Sequence, residues 1–342
     1  MGRVQPPRYL GIGDHAPIFG SNNTEGGRFE LYTSVTGKPM ILIFSGETSL
    51  SALGVSGVVA ESFSHSQADI TTLVPGEQET ARLQKSTAEW PYLTISDPGR
   101  EITSGYESIF GFRAPAIFVL CPNQRIVDIA ELDTLGDEVS TWINEKITRC
   151  VFNASTTRIT NIAPVLMVPR ALDAEDCDWL VGLWHKGHKV QGQVALGEHA
   201  KSRDSINLSF KKREDFILEN ETIKQKLIDR LIPRILPEIE KVHHFAPSNL
   251  ESFRIGCYKA ESGGFFKVHR DNANPSVKDR KFAITINLNP NEYEGGDLVF
   301  PEYGQELYRP DKGGAIIFSC SLLHEVFPVT KGNRFALLTF LF

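Results

Sequence analysis

The segment Phe266-Lys267-Val268-His269-Arg270-Asp271, followed farther along the chain by His324 and Arg334, is the most informative part of this sequence. His269 and Asp271 are two positions apart, and residues with this spacing on a strand point to the same side of it. Two imidazoles and one carboxylate on one side of a metal ion leave the opposite positions open. This donor set is typical of a non-haem Fe(II) site and not of a closed structural zinc site. Arg334 would offer a planar fork for a carboxylate.

The His-x-Asp pattern alone is a weak signal, because a chain with nine histidines and 42 acidic residues contains such a triplet by chance often enough. The prediction of a metal site therefore depends on the combination with His324 and Arg334. Four other histidines also look like ligands but stand near helix ends without a matching carboxylate. We expect them to be solvated; they are His185, His188, His243 and His244.

Length and composition limit the class of protein. The chain has 342 residues, of which 41% are hydrophobic and 23% charged, so it has room for two domains. A net charge of -6 gives no reason to expect a nucleic-acid partner. Residues 1–20 show no export pattern and no stretch is apolar enough to span a bilayer, so we expect a cytoplasmic protein without a membrane partner. The five cysteines form no Cys-x-x-Cys pair, which argues against disulfides and structural zinc.

The first half of the chain, residues 1–152, alternates short apolar runs with helical stretches, as an α/β layered domain does. Three buried strands are predicted at residues 40–44, 70–74 and 116–120. The motifs GDHAPIF (13–19), GKPMILIF (37–44), SDPG (96–99) and RAPAIF (113–118) resemble the peroxiredoxins. That resemblance implies a thioredoxin-like fold over roughly residues 8 to 148 and a cis peptide bond before Pro115.

The residue that peroxide chemistry requires is missing from this domain. Peroxiredoxins place a thiolate nucleophile after the strand that matches residues 40–44, but here the sequence is SGETSLSA (45–52) and no cysteine occurs before Cys121. We therefore expect a domain that is silent towards peroxide. It would serve either as a docking surface for substrate or partner or as a scaffold, and the sequence leaves both open.

Residues 153–163 have the composition of a linker, and a second domain is predicted over residues 164–342. Helices are expected around Leu180 to Trp184 and across Ile223 to Ile235, with Pro233 and Pro237 disturbing the latter. Residues 282–289 then alternate apolar and polar, which predicts a strand with one apolar face and one face on a polar cavity. Helices followed by many short strands predict a double-stranded β-helix, or jelly roll.

This second region resembles the prolyl 4-hydroxylase-like family of 2-oxoglutarate and Fe(II)-dependent dioxygenases. The matching motifs are RIGCY (254–258), GGFFKVHRD (263–271), Asn289, YEGGDL (293–298), PDKGGA (310–315), HEV (324–326) and PVTKGNR (328–334). By this resemblance His269, Asp271 and His324 would bind Fe(II) and carry catalysis, and Arg334 would bind the distal carboxylate of 2-oxoglutarate. Tyr258 would assist at that cosubstrate, although an ordinary core position fits it as well.

The implied reaction is the O2-dependent hydroxylation of a peptide, protein or amino-acid-like substrate, with release of succinate and CO2 and with ascorbate as a further candidate cofactor. Resemblance favours a prolyl group, while the fold itself names no substrate. One alternative is an interaction or sensor protein in which the first domain recruits partners and turnover is slow or absent. Another is a thiol peroxidase that uses Cys121 or Cys150. The sequence does not indicate an oligomeric state.

Overall fold

The computed structural model describes residues 10–53, 68–150, 159, 161–192 and 207–342. The chain divides into two compact units, Met1–Thr156 and Thr157–Phe342. The predicted linker at residues 153–163 lies largely outside the described residues. Among the helices of the described part, none is both long and apolar enough to cross a membrane.

In its described residues the first unit has seven strands and four α-helices. They are β1 (Gly20–Asn22), β2 (Arg28–Glu30), β3 (Met40–Phe44), β4 (Asp69–Pro75), α1 (Gln78–Thr87), β5 (Leu93–Asp97), α2 (Glu101–Phe110), β6 (Ala116–Leu120), β7 (Ile126–Glu131), α3 (Leu132–Leu135) and α4 (Val139–Thr148). Five of the strands form one sheet in the order β5-β4-β3-β6-β7. The strand β3 is parallel to β4 and antiparallel to β6.

The sheet of the first unit is buried on both faces. Along β3, Ile41 and Ile43 belong to one hydrophobic cluster, whereas Leu42 and Phe44 belong to another on the opposite face. A βαβ unit extended by antiparallel strands, with helices covering both faces, is the thioredoxin-like arrangement predicted from the sequence. The three predicted strands and the cis Ala114–Pro115 bond are also confirmed.

The part of the second unit that the structure describes has twelve strands and two long helices. They are β8 (Leu166–Val168), α5 (Ala174–Lys186), β9 (Val190–Gln191), β10 (Lys211–Lys212), β11 (Glu214–Ile217), α6 (Glu221–His243), β12 (Arg254–Lys259), β13 (Phe265–His269), β14 (Phe282–Asn287), β15 (Tyr293–Gly295), β16 (Leu298–Val299), β17 (Ala315–Ser319), β18 (His324–Val326) and β19 (Val329–Leu341). The larger sheet has the order β8-β17-β14-β19-β12-β11-β9, with β15 paired to β19, and the smaller sheet has the order β10-β13-β18-β16. These two antiparallel sheets form the predicted double-stranded β-helix.

The strand β14 shows how the larger sheet separates the core from the cavity. Ile284 and Ile286 pack in the cluster that contains the apolar residues of α5 and α6. Ala283 and Thr285 point the other way and line a cavity of the same unit. The predicted alternation along this strand is confirmed, and the cavity face is the one that carries the candidate site.

The helix α6 continues through both of its prolines, although the sequence suggested that Pro233 and Pro237 would disturb it. A proline inside a helix removes one backbone hydrogen bond and crowds the preceding turn. Here Leu231, Ile235 and Ile239 are buried on both sides of the interruption, at most 2% exposed. Their burial on the sheet offsets the lost hydrogen bonds, so the helix persists to His243.

The final strand begins at Val329, so Arg334 lies five positions inside it. The early part of β19 is held by two partners. Tyr293 of β15 pairs with Gly332, and Tyr258 of β12 pairs with Arg334. Pairing with these strands extends β19 through a sequence, Thr330 to Asn333, that has no apolar periodicity.

We predict that Gly313→Ala destabilises the second unit much more than Gly263→Ala. Both glycines have positive φ (77° and 62°), but a Cβ at Gly313 would lie 2.0 Å from the carbonyl oxygen of Leu172, whereas the space at Gly263 is open. Both variants lose the conformational freedom of glycine, about 1 kcal/mol, and only Gly313→Ala also meets a clash, which adds about 1–3 kcal/mol. Urea unfolding measures both values, and equal losses would contradict the close approach.

Candidate metal centre

His269, Asp271 and His324 converge at one end of the second unit. One ligand atom from each can be chosen so that all three lie within 4.8 Å of one another. The Nε2 atom of His269 is 3.5 Å from Oδ1 of Asp271, and Nε2 of His324 is 3.3 Å from Oδ2 of the same carboxylate. Within residues 10–53, 68–150, 161–192 and 207–342, no second set of three such side chains meets in this way.

The pairing of β13 with β18 places the two imidazoles. His269 is the last residue of β13, His324 is the first of β18, and the two are directly opposite in the antiparallel register. Asp271 lies beyond the end of the strand, so the shared side of residues two positions apart on a strand does not explain its placement. Instead the chain turns, and the backbone N–H of Asp271 donates to the carbonyl of Cys320 at 3.0 Å. This backbone bond places the carboxylate beside both imidazoles.

Hydrogen bonds to the backbone fix the orientation of both rings. Nδ1 of His269 lies 2.7 Å from the carbonyl oxygen of Lys267, and Nδ1 of His324 lies 3.0 Å from that of Leu322. Because a carbonyl only accepts, each Nδ1 carries the proton in these bonds. The lone pair is therefore left on Nε2, the atom that faces Asp271. This is the usual arrangement for a metal-binding histidine.

The electrostatics suit a cation at this position. Burial alone would raise the pKa of the Asp271 carboxyl, but the charges and hydrogen bonds of His324 and His269 outweigh it and hold that pKa well below its ordinary value. Burial lowers the pKa of His269, whereas the attraction of Asp271 outweighs burial and raises that of His324. The centre thus keeps a buried carboxylate charged and attracts positive charge to its side. A divalent ion held by neutral imidazoles would supply that positive charge.

Aromatic rings surround the imidazoles. Phe266 stacks on His269 with ring centroids 3.5 Å apart, and Phe318 packs edge-on against His324 at 4.7 Å. Such walls exclude water from one side of the metal position and lower the local dielectric constant.

A salt bridge ties together the two chain segments that carry the ligands. Arg270, which stands between His269 and Asp271, pairs with Glu302 at 2.5 Å and also donates to the carbonyl of Ser321. The other carboxylate oxygen of Glu302 accepts from the backbone N–H of Leu323, next to His324, at 2.8 Å. Glu302 is therefore a bridge between the His-x-Asp turn and the turn before the distal histidine.

The metal position opens into a cavity of about 530 Å³. Arg334 and Tyr258 both line it, at 3% and 2% exposure, and the guanidinium lies 5.2 Å from the centre of the tyrosine ring. The Nε and Nη1 atoms of Arg334 are buried without a hydrogen-bond partner among the described residues. Buried guanidinium donors without an acceptor are costly, and a carboxylate in the cavity would satisfy them.

The structure adds a group of cavity residues that the sequence analysis did not identify. Lys211, Arg213 and Asp215 are all buried and line the cavity, while Lys212 and Glu214 between them face outwards. Arg213 donates to both oxygens of Asp215 at 2.6 and 2.8 Å, and its Nη1 lies 3.3 Å from the hydroxyl of Tyr258. All five residues of the run 211–215 are charged, so the sequence carries no alternation that would show which of them face inwards.

The remaining candidate residues lie elsewhere. The histidines His185, His188, His243 and His244 are exposed at or just beyond helix ends, as predicted. In the first unit, Phe44 pairs with Ala116 while Leu120 pairs with Met40, so Cys121 lies at the end of the sheet opposite to the loop that starts at Ser45. Burial raises the pKa of the Cys121 thiol. Neither its position nor its acidity suits the peroxidase alternative.

We predict that Glu302→Gln weakens metal binding by about tenfold, as losses of supporting contacts around metal ligands do. The amide keeps the size of the side chain but loses the charge that holds Arg270. Anaerobic Fe(II) titration or Mn(II) titration would measure the affinity. Glu294→Gln is the matched control, since Glu294 forms an exposed pair with Lys331 away from the cavity. Equal affinities in the two variants would show that the bridge does not position the ligands.

We predict that Asp215→Asn lowers the free energy of unfolding by about 3–5 kcal/mol at neutral pH, because it leaves the Arg213 charge buried without its partner. The control Glu221→Gln removes an exposed partner of Lys224 and should cost less than about 1 kcal/mol. Arg213 outweighs burial and lowers the pKa of Asp215. A carboxyl group whose pKa is lower in the folded state than in the unfolded state stabilises the fold at pH values above the unfolded pKa, and this stabilisation is lost as the pH falls. The difference in unfolding free energy between the variant and the parent should therefore shrink below about pH 4. Urea unfolding at several pH values tests it, and a difference that grows in acid would refute the role of this ion pair.

Comparisons with known proteins agree with this geometry. Residues 253–342 match the profile described as the 2OG-Fe(II) oxygenase superfamily. A PKHD-type hydroxylase of Stutzerimonas stutzeri is 27% identical over 154 residues, which are 42% of this chain and 63% of that protein, so the chain spans less than two thirds of its length. Among solved structures, a prolyl-4-hydroxylase of Pseudomonas putida aligns with 53% of this chain and 93% of its own (TM-score 0.40, 16% identity).

The first unit has its own structural neighbours. The thioredoxin domain of a thiol-disulfide oxidoreductase from Bacteroides vulgatus aligns with 40% of this chain and 99% of its own, with a TM-score of 0.34 and 15% identity. For the second unit, the sequence match includes all three converging residues and Arg334. Through residues 253–342 of this unit the chain is similar to the 2OG-Fe(II) oxygenase superfamily, a likeness that supports a dioxygenase using Fe(II), 2-oxoglutarate and O2.

Proposed function

We propose that the second unit binds one Fe(II) ion through His269, Asp271 and His324, binds 2-oxoglutarate through Arg334 and Tyr258, and hydroxylates a peptide, protein or amino-acid-like substrate, with prolyl groups favoured. The observation that carries the proposal is the meeting of three donor atoms within 4.8 Å in the same cavity as a buried guanidinium that lacks an acceptor. Either feature alone would also fit a site for a single ion, whereas the two together match a metal ion and a dicarboxylate.

Each residue has a distinct task in this proposal. The two Nε2 atoms and the Asp271 carboxylate would hold the metal ion, and a set of only three protein ligands would leave room for further ligands. Bound Fe(II) supplies the activation of O2, coupled to oxidative decarboxylation of 2-oxoglutarate to succinate and CO2. Arg334 takes the distal carboxylate with its planar fork, and the ring of Tyr258 keeps the guanidinium in place by a cation–π contact.

The shape of the backbone makes room for Arg334. Gly296 has a φ of 69°, and a Cβ there would lie 2.7 Å from Val329 and 3.2 Å from Cδ of Arg334. A glycine at this turn therefore allows the arginine stem to pass beneath the loop and reach the cavity. The cosubstrate end of the site is thus prepared by the fold as well as by the side chain.

The proposal predicts a weak visible charge-transfer band when 2-oxoglutarate is added anaerobically to the Fe(II)-loaded protein. His269→Ala should abolish the band, and Arg334→Ala should raise the 2-oxoglutarate concentration needed for it at least tenfold, because it removes a charged hydrogen-bond pair. Lys331→Ala, which removes an exposed cation outside the cavity, is the control.

The outcomes separate the parts of the proposal. Iron binding without a band in the parent protein would mean that the cosubstrate pocket is wrong. Failure to bind iron would remove the oxygenase function and leave the interaction protein as the better interpretation. With the band established, succinate release in the presence of candidate peptides identifies the substrate.

A further inference from the structure

A group of buried and half-buried cations other than Arg334 lines the cavity. It consists of Lys211, Arg213 and Arg254, which we call the cationic cluster. Lys211 and Arg213 are 4% and 8% exposed, and the Arg254 side chain is 28% exposed. Asp215 lies among them but is already engaged by both donors of the Arg213 fork. The cluster therefore presents more positive than negative charge to the cavity.

These cations lie close enough to affect each other. Burial, followed by repulsion from Arg213, lowers the pKa of Lys211 to about 7. Burial and then Arg213 also lower the pKa of Arg254. The nearest acid on the other side of Arg254 is Glu251, at 3.6 Å, but Glu251 accepts two shorter bonds from Arg280, at 2.6 and 2.8 Å. An anion that enters this end of the cavity would relieve the repulsion among the cations.

Two unsatisfied polar atoms lie in one row of the sheet beside the cluster. Arg254 pairs with Leu338, and Leu338 pairs with Thr285, so the three residues are neighbours across β12, β19 and β14. All three line the cavity. Nε of Arg254 and Oγ1 of Thr285 are buried and have no hydrogen-bond partner within the described part of the chain. A donor and a hydroxyl that both face the cavity need a ligand with acceptor atoms.

This row is separate from the proposed cosubstrate end. Tyr258 pairs with Arg334, whereas Arg254, four residues earlier on β12, pairs with Leu338. At about 3.3 Å per residue the two ends are about 13 Å apart along the strand. A 2-oxoglutarate molecule whose distal carboxylate is held by Arg334 would therefore not satisfy Arg254.

The cluster also lies near the metal position. Lys211 pairs with Phe266, three residues before His269, and its Nζ is 4.7 Å from the Phe266 ring centre. Three strand residues span about 10 Å, which is also the length of about three residues of extended peptide.

We propose that the cationic cluster and Thr285 bind a carboxylate side chain of the substrate, so that the enzyme acts on acidic peptides with Glu or Asp within about three residues of the hydroxylated position. This inference rests on the function proposed above and names the substrate class for it. Arg213 stays paired with Asp215 and orients the cluster, while Lys211, Arg254 and Thr285 contact the carboxylate.

The test uses the full chain loaded with Mn(II) under anaerobic conditions, with and without 2-oxoglutarate. Three fluorescently labelled peptide pools carry a central proline and differ only in whether Glu, Gln or Lys occurs within three residues of it. Anisotropy measures binding. The Glu pool should bind at least tenfold more tightly than the Gln pool, and the Lys pool should bind most weakly.

Substitutions connect this preference to the cluster. Arg254→Gln and Lys211→Met should each reduce the advantage of the Glu pool to about threefold or less, without changing 2-oxoglutarate binding. Arg230→Gln and Lys331→Met remove exposed cations outside the cavity and should leave the advantage intact. If the charge variants fail to fold, Thr285→Val removes only the hydroxyl and should also reduce the advantage.

Several results would overturn the inference: equal binding of the Glu and Gln pools, no binding of any pool, preference for the Lys pool, or an advantage that survives the substitutions. A fourth pool with phosphoserine that binds more tightly than the Glu pool would replace the carboxylate by a phosphate and overturn it as well. Failure of the parent to bind 2-oxoglutarate would instead refute the proposed function. The difference in affinity between the Glu and Gln pools, measured with the Mn(II)-loaded protein without 2-oxoglutarate, tests the inference independently of cosubstrate binding.

Discussion

The antiparallel register between β13 and β18 is the constraint on which the rest of the site depends. It places His269 opposite His324 at the junction of two short strands, so their imidazoles meet without any help from a flexible loop. The third donor, Asp271, is then added by a single backbone hydrogen bond to Cys320. If one of these strands slipped by one residue, its imidazole would move to the other face of the sheet and the two rings would no longer meet. The precision of the metal centre is thus a property of backbone pairing.

The cavity combines this centre with an unusual number of buried cations. Arg334 lies beside Tyr258, Arg213 reaches the hydroxyl of the same tyrosine, and Arg254 lies four residues before it on β12. Lys211 also lines the cavity. Burying like charges together is unfavourable unless anions compensate them. Asp215 on β11 of the larger sheet compensates part of this positive charge. Other buried donors have no acceptor among the described residues. This excess of positive charge destabilises the empty cavity and would favour the binding of anionic ligands. The residues that would recognise a ligand therefore lower the stability of the fold.

Much of the fold was predictable because its signals are local. The apolar run at residues 40–44 and the alternation along β14 depend on burial of side chains within a few positions of each other. The candidate ligands were predictable from residue type and order. The position of Asp271 was not, because a long-range backbone bond and not strand geometry holds it. Continuation of α6 through Pro233 was also missed, since the compensating contacts come from the sheet and not from the helix.

The inner-facing charges of residues 211–215 show a different limit. A run of five consecutive charged residues is typical of a solvated surface, and only the pairing with β12 and β13 shows which of these residues face inwards. Long-range register thus carries information about charge burial that composition does not contain.

Both imidazoles are oriented by carbonyl groups two residues upstream in their own chain segments, at Lys267 and Leu322. A carbonyl oxygen is present whatever side chain the residue carries. The orientation of these two donors is therefore independent of the amino acids at positions 267 and 322. Evolution can therefore change the side chains at Lys267 on β13 and at Leu322 in the turn before β18 to suit new ligands, while the geometry of the metal centre is preserved.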